Sequence, residues 1–110
     1  MIHVLAIVTA KPGKRAEVLA NIRAGLPRVH AEPGCIEYAP AVDTEIDARF
    51  AAAGAPGLNT ALGPDTFVVV EKWESLETLN AHIAALPSAA SSIKNRGLIV
   101  GRVVHILSPV

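Results

Sequence analysis

The segment "VVVEKWESLETLNAH", from Val68 to His82, passes from strand-like to helix-like sequence at the only tryptophan of the chain. Its β-branched run begins at Thr66 and predicts a strand that ends at Trp73. Ser75 is a favoured N-cap residue, so a helix is expected to begin there and to end at Pro87. The apolar residues of this helix follow the spacing of one buried stripe, at Leu76, Leu79, Ile83 and Leu86.

The N-terminal half predicts the same order of elements. Ile2–Thr9 is short, rich in β-branched residues and followed by Lys-Pro-Gly, which indicates a strand. Residues 12–34 predict a helix, and Pro27 is expected to kink its last turn or to end it early. Cys35–Val42 predicts a second strand. Pro40 favours an edge position for this strand, because proline cannot donate to a strand ladder.

A last strand and an insert complete the predicted domain. Leu98–Leu107 predicts the strand, and residues 44–64 form an insert rich in alanine, glycine and proline, in which Thr44–Ala53 is a candidate short helix. This order predicts a single α+β domain over residues 1–110, ferredoxin-like (βαββαβ), with an antiparallel sheet and both helices on one face. Because the first and last strands are apolar on both faces, a second copy is expected to cover the open face and give a homodimer.

The composition excludes several classes of function. Ten basic and ten acidic residues cancel and are scattered, so nucleic-acid binding is not expected. No apolar stretch reaches the ~18–20 residues of a membrane span. The N-terminus lacks the features of a signal peptide. The single cysteine, Cys35, excludes an internal disulfide framework and fits the cytoplasm.

Cofactor and metal motifs are absent from the sequence. There is no glycine-rich phosphate loop, and HExxH and CxxC are missing. The histidines show no paired ligand spacing, so neither a metal nor another cofactor is predicted; they are His3, His30, His82 and His105. Cys35 is interpreted as a buried small hydrophobic residue, because the sequence places no cationic partner or helix N-terminus near it to activate a nucleophile.

One face of the third strand carries candidate site residues. Phe67, Glu71 and Trp73 alternate on that face together with Val69. Glu71 has two interpretations: a charge at the rim or in a salt bridge, or a buried carboxyl whose raised pKa suits acid–base chemistry. Tyr38, on the second strand, is either a core ring or a ring whose hydroxyl points into a cavity.

His82 lies on the flank of the predicted second helix, beside Leu79 and Leu86. It is either a half-exposed surface residue or a ring between helix and sheet, where a histidine suits proton transfer near neutral pH. About seven residues of helix separate it from Trp73, or roughly 10 Å. The two rings are therefore expected not to touch unless their side chains lean together, and a bound planar molecule is expected to bridge them.

Several of these motifs together resemble the antibiotic biosynthesis monooxygenase domain family. They are "KPGK" (Lys11–Lys14), "EPGC" (Glu32–Cys35) with Tyr38, and "FVVVEKWESLETLNAH" (Phe67–His82). The resemblance is greatest to small quinol monooxygenase-like members, and it covers nearly the whole chain except the insert. It implies a ferredoxin-like domain that dimerises into an α+β barrel.

The same resemblance implies an activity. Several members oxygenate quinol-like or polycyclic phenolic molecules with molecular oxygen and with neither metal nor flavin. His82, Trp73 and Glu71 are therefore the expected catalytic residues, with His82 or Glu71 as the base. Tyr38 and Phe67 are expected to contact the substrate.

Two other functions stay open, and the insert is the main departure from the family pattern. One alternative is an isomerase that works by proton transfer in the same pocket. The other is a non-catalytic dimeric module that binds a small ligand. The insert is expected to leave the sheet at the end opposite Trp73, where it would either cover the pocket or extend the dimer contact.

Overall fold

The structure, a computed structural model, describes residues 1–46 and 60–110 of the chain. Its elements follow the predicted order of strands and helices. They are β1 (Ile2–Ala10), α1 (Arg15–His30), β2 (Cys35–Ala41), β3 (Thr66–Trp73), α2 (Leu76–Ala85), a 3-10 turn (Leu86–Ser88), α3 (Ala90–Lys94) and β4 (Ile99–Leu107). None of the helices in these two ranges combines the length and the hydropathy that a membrane-spanning helix requires.

The four strands form one antiparallel sheet in the order β2-β3-β1-β4. The predicted α+β, ferredoxin-like βαββαβ arrangement is confirmed. β1 pairs with β3 along its length, from Ile2 opposite Trp73 to Thr9 opposite Thr66. β2 lies at an edge of the sheet, as Pro40 predicted.

α1 does not end at Pro27. The helix continues to His30, and the Ala31 N–H donates to the Pro27 carbonyl oxygen at 3.2 Å. Proline removes only the hydrogen bond to the carbonyl of Arg23, four residues earlier. Both residues lie on the exposed side of the helix, where water can replace that bond. Val29, which is 5% exposed, anchors the last turn in the core.

The core lies between one face of the sheet and the helices α1 and α2. The apolar side chains buried there are Val4, Val8, Val18, Leu19, Val29, Phe67, Val69, Trp73 and Leu79. Trp73, Phe67 and Leu79 are the largest fully buried side chains. Every second residue of β3, from Phe67 to Trp73, faces this core, as the period of a strand requires.

The apolar stripe predicted for α2 is only partly buried. Leu79 is 2% exposed, whereas Leu76 and Ile83 are 54% and 45% exposed. The buried face of α2 is centred between Leu79 and His82 instead. The prediction of a buried stripe was wrong in part, because Ile83 and Leu86 border a cavity rather than a packed core.

The other face of the sheet is apolar and is not covered by any other element of residues 1–46 and 60–110. Leu5 opposes His105 and Ile7 opposes Val103, and cross-strand partners lie on the same face. Leu5, Val103 and Leu107 are 37%, 54% and 44% exposed. The second apolar face that the sequence predicted for β1 and β4 is therefore present in the structure as an exposed apolar surface.

The insert between β2 and β3 leaves the sheet at the end opposite Trp73, whose partner in β2 is Cys35. Asp43 holds the two ends together: its carboxylate accepts from the N–H groups of Leu62 and Gly63 at 2.9 and 3.0 Å. These two donors lower the pKa of Asp43. Residues 44–46 are not helical, and the rest of the candidate helix Thr44–Ala53 lies outside the described residues.

Candidate functional site

A cavity of about 780 Å³ lies between the sheet and the helices. Aliphatic side chains from the sheet and from the helices line most of it, including Val4, Val104 and Ile22. Four of the five predicted site residues also line it: Tyr38, Phe67, Glu71 and His82. A largely apolar cavity of this size with a few polar groups is typical of a small-molecule site.

The N-terminus of α2 fixes where His82 lies. The Ser75 hydroxyl accepts the Thr78 N–H and the Thr78 hydroxyl oxygen accepts the Ser75 N–H, each at 3.2 Å, which forms a capping box. Ser75 is thus the N-cap that the sequence predicted. Two helical turns later the His82 side chain enters the protein interior, and the residue is 3% exposed. The interpretation of His82 as a half-exposed surface residue was wrong.

The rings of His82 and Trp73 are in direct contact. Their centroids are 4.7 Å apart and their planes are inclined at 34°. The Tyr38 ring meets the same imidazole edge-on, at 5.4 Å and 62°. The expectation that a bound planar molecule bridges Trp73 and His82 was wrong. The stated exception applies, because the two side chains lean together and their rings touch.

Trp73 lies behind the histidine rather than in the cavity wall. It is fully buried, and it is not among the described residues that line the cavity. Its indole N–H donates to Oε1 of Glu71 at 3.0 Å. Trp73 therefore contacts both His82 and Glu71.

Glu71 is a buried carboxyl group. It is 6% exposed, so the interpretation as a rim charge was wrong. Burial raises the pKa of Glu71, and the nearby Glu32 charge raises it further, while the Trp73 indole bond and His82 act in the opposite direction. The structure supports the second interpretation of Glu71, a buried carboxyl group with a raised pKa.

Tyr38 presents its ring to the cavity from β2, where it is paired with Glu71 of β3. Burial raises the pKa of its hydroxyl, and the charges of Glu71 and Glu32 add to this effect. The hydroxyl therefore stays protonated near neutral pH and is available as a hydrogen-bond donor. Phe67, which is fully buried, forms part of the cavity floor.

Sequence reasoning missed Glu32 as a member of the site. Its Oε2 lies 2.7 Å from Nδ1 of His82, and its Oε1 accepts from Arg28 at 3.2 Å. The sequence showed Glu32 only as the first residue of the Glu-Pro-Gly-Cys turn. An acidic residue beside a rigid turn was the signal by which Glu32 could have been proposed as a site residue. No local sequence pattern, however, links it to a histidine fifty positions later.

The turn after Glu32 docks on the first turn of α2. Gly34 has φ +80°, and a Cβ at this position would lie 2.6 Å from the Thr78 hydroxyl oxygen. The Gly34 carbonyl oxygen accepts the Glu74 N–H at 2.9 Å. The absence of a side chain at Gly34 thus lets the turn approach α2 closely enough for Glu32 to reach His82.

Nε2 of His82 is open to the cavity. It has no hydrogen-bond partner within residues 1–46 and 60–110. In the same ranges, every side-chain nitrogen or oxygen shut off from solvent has a partner. Nε2 is therefore not shut off from solvent, and the His82 ring lines the cavity.

Cys35 is poorly suited to act as a nucleophile. Burial raises the pKa of the Cys35 thiol, and the charges of Glu32 and Glu71 add to this effect, which disfavours a reactive thiolate. The part of the chain that the structure describes brings no three histidine, cysteine, aspartate or glutamate side chains together in a possible metal site.

The chain is similar to known proteins over nearly its full length. The family model "Antibiotic biosynthesis monooxygenase" matches residues 1–52. "Probable quinol monooxygenase YgiN" of Escherichia coli K12 is 32% identical over 111 residues, covering 99% of this chain and 98% of the relative. The chain belongs to the antibiotic biosynthesis monooxygenase family. The resemblance noted from its motifs is confirmed.

Solved structures agree with this family's fold. PA3566 from Pseudomonas aeruginosa superposes with a TM-score of 0.68 at 19% identity, covering 99% of this chain and 93% of that one. Rv0793 from Mycobacterium tuberculosis gives a TM-score of 0.64 at 19% identity, with 99% and 94% covered. At these identities the likeness shows the ferredoxin-like fold of the monooxygenase family alone.

Proposed function

We propose that this chain is a cofactor-independent monooxygenase that acts on a quinol-like or polycyclic phenolic molecule. Membership of the monooxygenase family supports the class of reaction. The observation that carries the proposal is the environment of His82. Its imidazole lines an apolar cavity, its Nδ1 is held by the Glu32 carboxylate, and its Nε2 is open to that cavity.

The chemistry needs a base and a dry cavity. Triplet oxygen reacts slowly with closed-shell molecules, but the anion of a hydroquinone can transfer an electron to it. One oxygen atom then enters the ring and the other leaves as water, so that a hydroquinone becomes a hydroxylated quinone. The substrate supplies all of the electrons, and no added reductant is required. The protein has to remove the phenolic proton and exclude bulk water.

We assign the proton transfer to Nε2 of His82. Tyr38, as a donor, would contact an oxygen atom of the substrate, and Phe67 would support the apolar wall beneath the substrate ring. Trp73 would support the imidazole from behind through their 4.7 Å contact. Glu71 holds the Trp73 indole and is the second acid on the same wall.

We infer that the working unit is a homodimer in a reducing compartment such as the cytoplasm. The uncovered sheet face carries Leu5, Val103 and Leu107, and a monomer that left these residues in water would expose a contiguous apolar surface. A second copy stacked on this face would close an α+β barrel. The single cysteine supports the choice of compartment.

Oxygen uptake tests the proposed reaction. Hydroquinones and polycyclic phenols are added one by one to protein treated with a chelator, and the products are analysed after reaction under ¹⁸O-labelled oxygen. The expected result is uptake with one labelled atom in the product. Proton exchange on a substrate without uptake would instead indicate the isomerase.

Fluorescence tests binding independently of turnover. Trp73 is the only tryptophan, and its contact with His82 makes its emission sensitive to a ligand at the imidazole. A change of emission with neither uptake nor proton exchange would indicate the ligand-binding module. No change across the panel would contradict binding of this class of molecule.

A further inference from the structure

We propose that Glu32 is a positioning residue for His82: it holds the proton on Nδ1 and leaves Nε2 as the acceptor that faces the cavity. This inference rests on the proposed function, because it explains how His82 is prepared to act as its base. Neither the family match nor the resemblance of the motifs assigns this role to Glu32.

The hydrogen bond between Glu32 and His82 has a defined direction. An ionised carboxylate only accepts hydrogen bonds, so the 2.7 Å contact requires Nδ1 of His82 to be the donor. A neutral imidazole carries one proton. When Nδ1 carries it, Nε2 has the lone pair, and Nε2 is the nitrogen that is open to the cavity.

Glu32 is itself held in place by neighbouring groups. Its Oε1 accepts from Arg28 at 3.2 Å, which keeps Oε2 for His82. Its N–H donates to the Val29 carbonyl oxygen at 3.0 Å, and its carbonyl oxygen accepts the Cys35 N–H at 3.2 Å. The Glu32 side chain is only 16% exposed. The carboxylate is therefore fixed by α1 on one side and by the docked turn on the other.

Proton transfer from the substrate uses the nitrogen that Glu32 leaves free. The phenolic O–H bond of the substrate breaks, its proton moves to Nε2 of His82, and the electron pair stays on the phenolate oxygen. The imidazole becomes an imidazolium whose Nδ1–H still points at the Glu32 carboxylate. The positive charge that forms on the imidazole is then stabilised by the negative charge of Glu32, which is already in place. The ring does not have to turn.

The remaining side chains around the imidazole do not offer this function. Trp73 and Tyr38 contact it through their rings, and the Trp73 N–H is directed to Glu71. In the described part of the chain, the carboxylate of Glu32 is the hydrogen-bond partner of the imidazole. The tautomer of His82 is therefore set by Glu32.

Nitrogen-15 NMR of the histidine ring tests this role without any substrate. In the unmodified protein His82 is expected to be in the Nδ1–H tautomer. In Glu32→Gln, which keeps the shape but can also donate to Nδ1, the Nε2–H tautomer is expected to appear. Glu17→Gln makes the same chemical change at an exposed residue of α1 and should leave the spectrum unchanged. An unchanged His82 tautomer in Glu32→Gln would overturn the proposal.

A double-mutant cycle on oxygen uptake gives the second test. Glu32→Gln is expected to lower kcat by about 10- to 100-fold with KM nearly constant, since general base catalysis contributes about 10²–10⁴-fold in all. In the His82→Gln background the same change should have no further effect, because Glu32 acts through His82. An equal loss in both backgrounds would assign Glu32 a structural role.

The two proposals fail in different ways. If no phenolic substrate is turned over, the proposed function is wrong, and the NMR experiment still decides whether Glu32 sets the tautomer. If turnover occurs and Glu32→Gln changes neither the tautomer nor kcat, the function stands and the role of Glu32 is wrong.

Discussion

Nδ1 of His82 lies 2.7 Å from Oε2 of Glu32, and the two residues are fifty positions apart in the chain. The contact joins the turn that ends α1 to the buried face of α2. It orients an imidazole whose other nitrogen is open to an apolar cavity. A carboxylate–histidine pair at the wall of such a cavity is an arrangement suited to general base catalysis.

The assignment of the base predicts unequal effects of two substitutions. His82→Gln is expected to lower kcat for oxygen uptake by about 10²–10⁴-fold, the range that general base catalysis supplies. Glu71→Gln keeps a side-chain oxygen as the acceptor for the Trp73 indole N–H and should reduce kcat far less. Steady-state oxygen consumption measures both. The opposite order of effects would make Glu71 the base.

Gly34 is predicted to be intolerant of a side chain. Gly34→Ala should lower the free energy of unfolding by about 2–4 kcal/mol, because φ is +80° and the new Cβ would overlap Thr78. Gly13→Ala is the control: its φ is +77°, but no atom lies within 4 Å of its Cβ position, so about 1–2 kcal/mol is expected. Urea denaturation of both variants measures the difference. Equal losses would exclude the overlap with Thr78.

Burial of Glu71 predicts a pH-dependent contribution to stability. Its pKa is higher in the folded than in the unfolded chain, so the folded state binds more protons between the two values. The contribution of Glu71 is therefore most favourable below its ordinary pKa of 4.5 and is lost as pH rises through the folded value. Unfolding free energies measured from acid to neutral pH should fall less steeply in Glu71→Gln. Parallel curves would contradict a raised pKa.

The uncovered sheet face predicts the oligomeric state. Val103→Lys places a charge on that face and is expected to shift the protein towards a monomer, measured by light scattering after gel filtration. Ile93→Lys, at a residue of α3 with similar exposure, should leave the mass unchanged. A dimer that persists in Val103→Lys, or a monomeric unmodified protein, would argue against this interface.

Local sequence patterns were sufficient for the order and type of the elements. The period of two in β3 and the residues Ser75 and Pro40 predicted a strand, a helix start and an edge position, and the structure contains all three. Each of these signals depends on neighbours along the chain. The fold class and the apolar second face of the sheet follow from the same information.

The site depends on contacts that no local pattern contains. A helical wheel gives angles within α2, but not what each side chain meets. His82 packs against Trp73 and Tyr38 and is buried, whereas Ile83 borders the cavity and is 45% exposed. The docking of Gly34 against Thr78 then decides that Glu32 reaches the imidazole.

The sequence by itself therefore determined the ferredoxin-like order and the residue types available to a site. Only the tertiary structure placed Trp73 behind His82, buried Glu71 and brought Glu32 to Nδ1. The physical reason is the distance along the chain over which each kind of interaction acts. Backbone propensity and apolar periodicity act over one or two turns, whereas the orientation of a catalytic ring depends on close packing between segments that are distant in the chain.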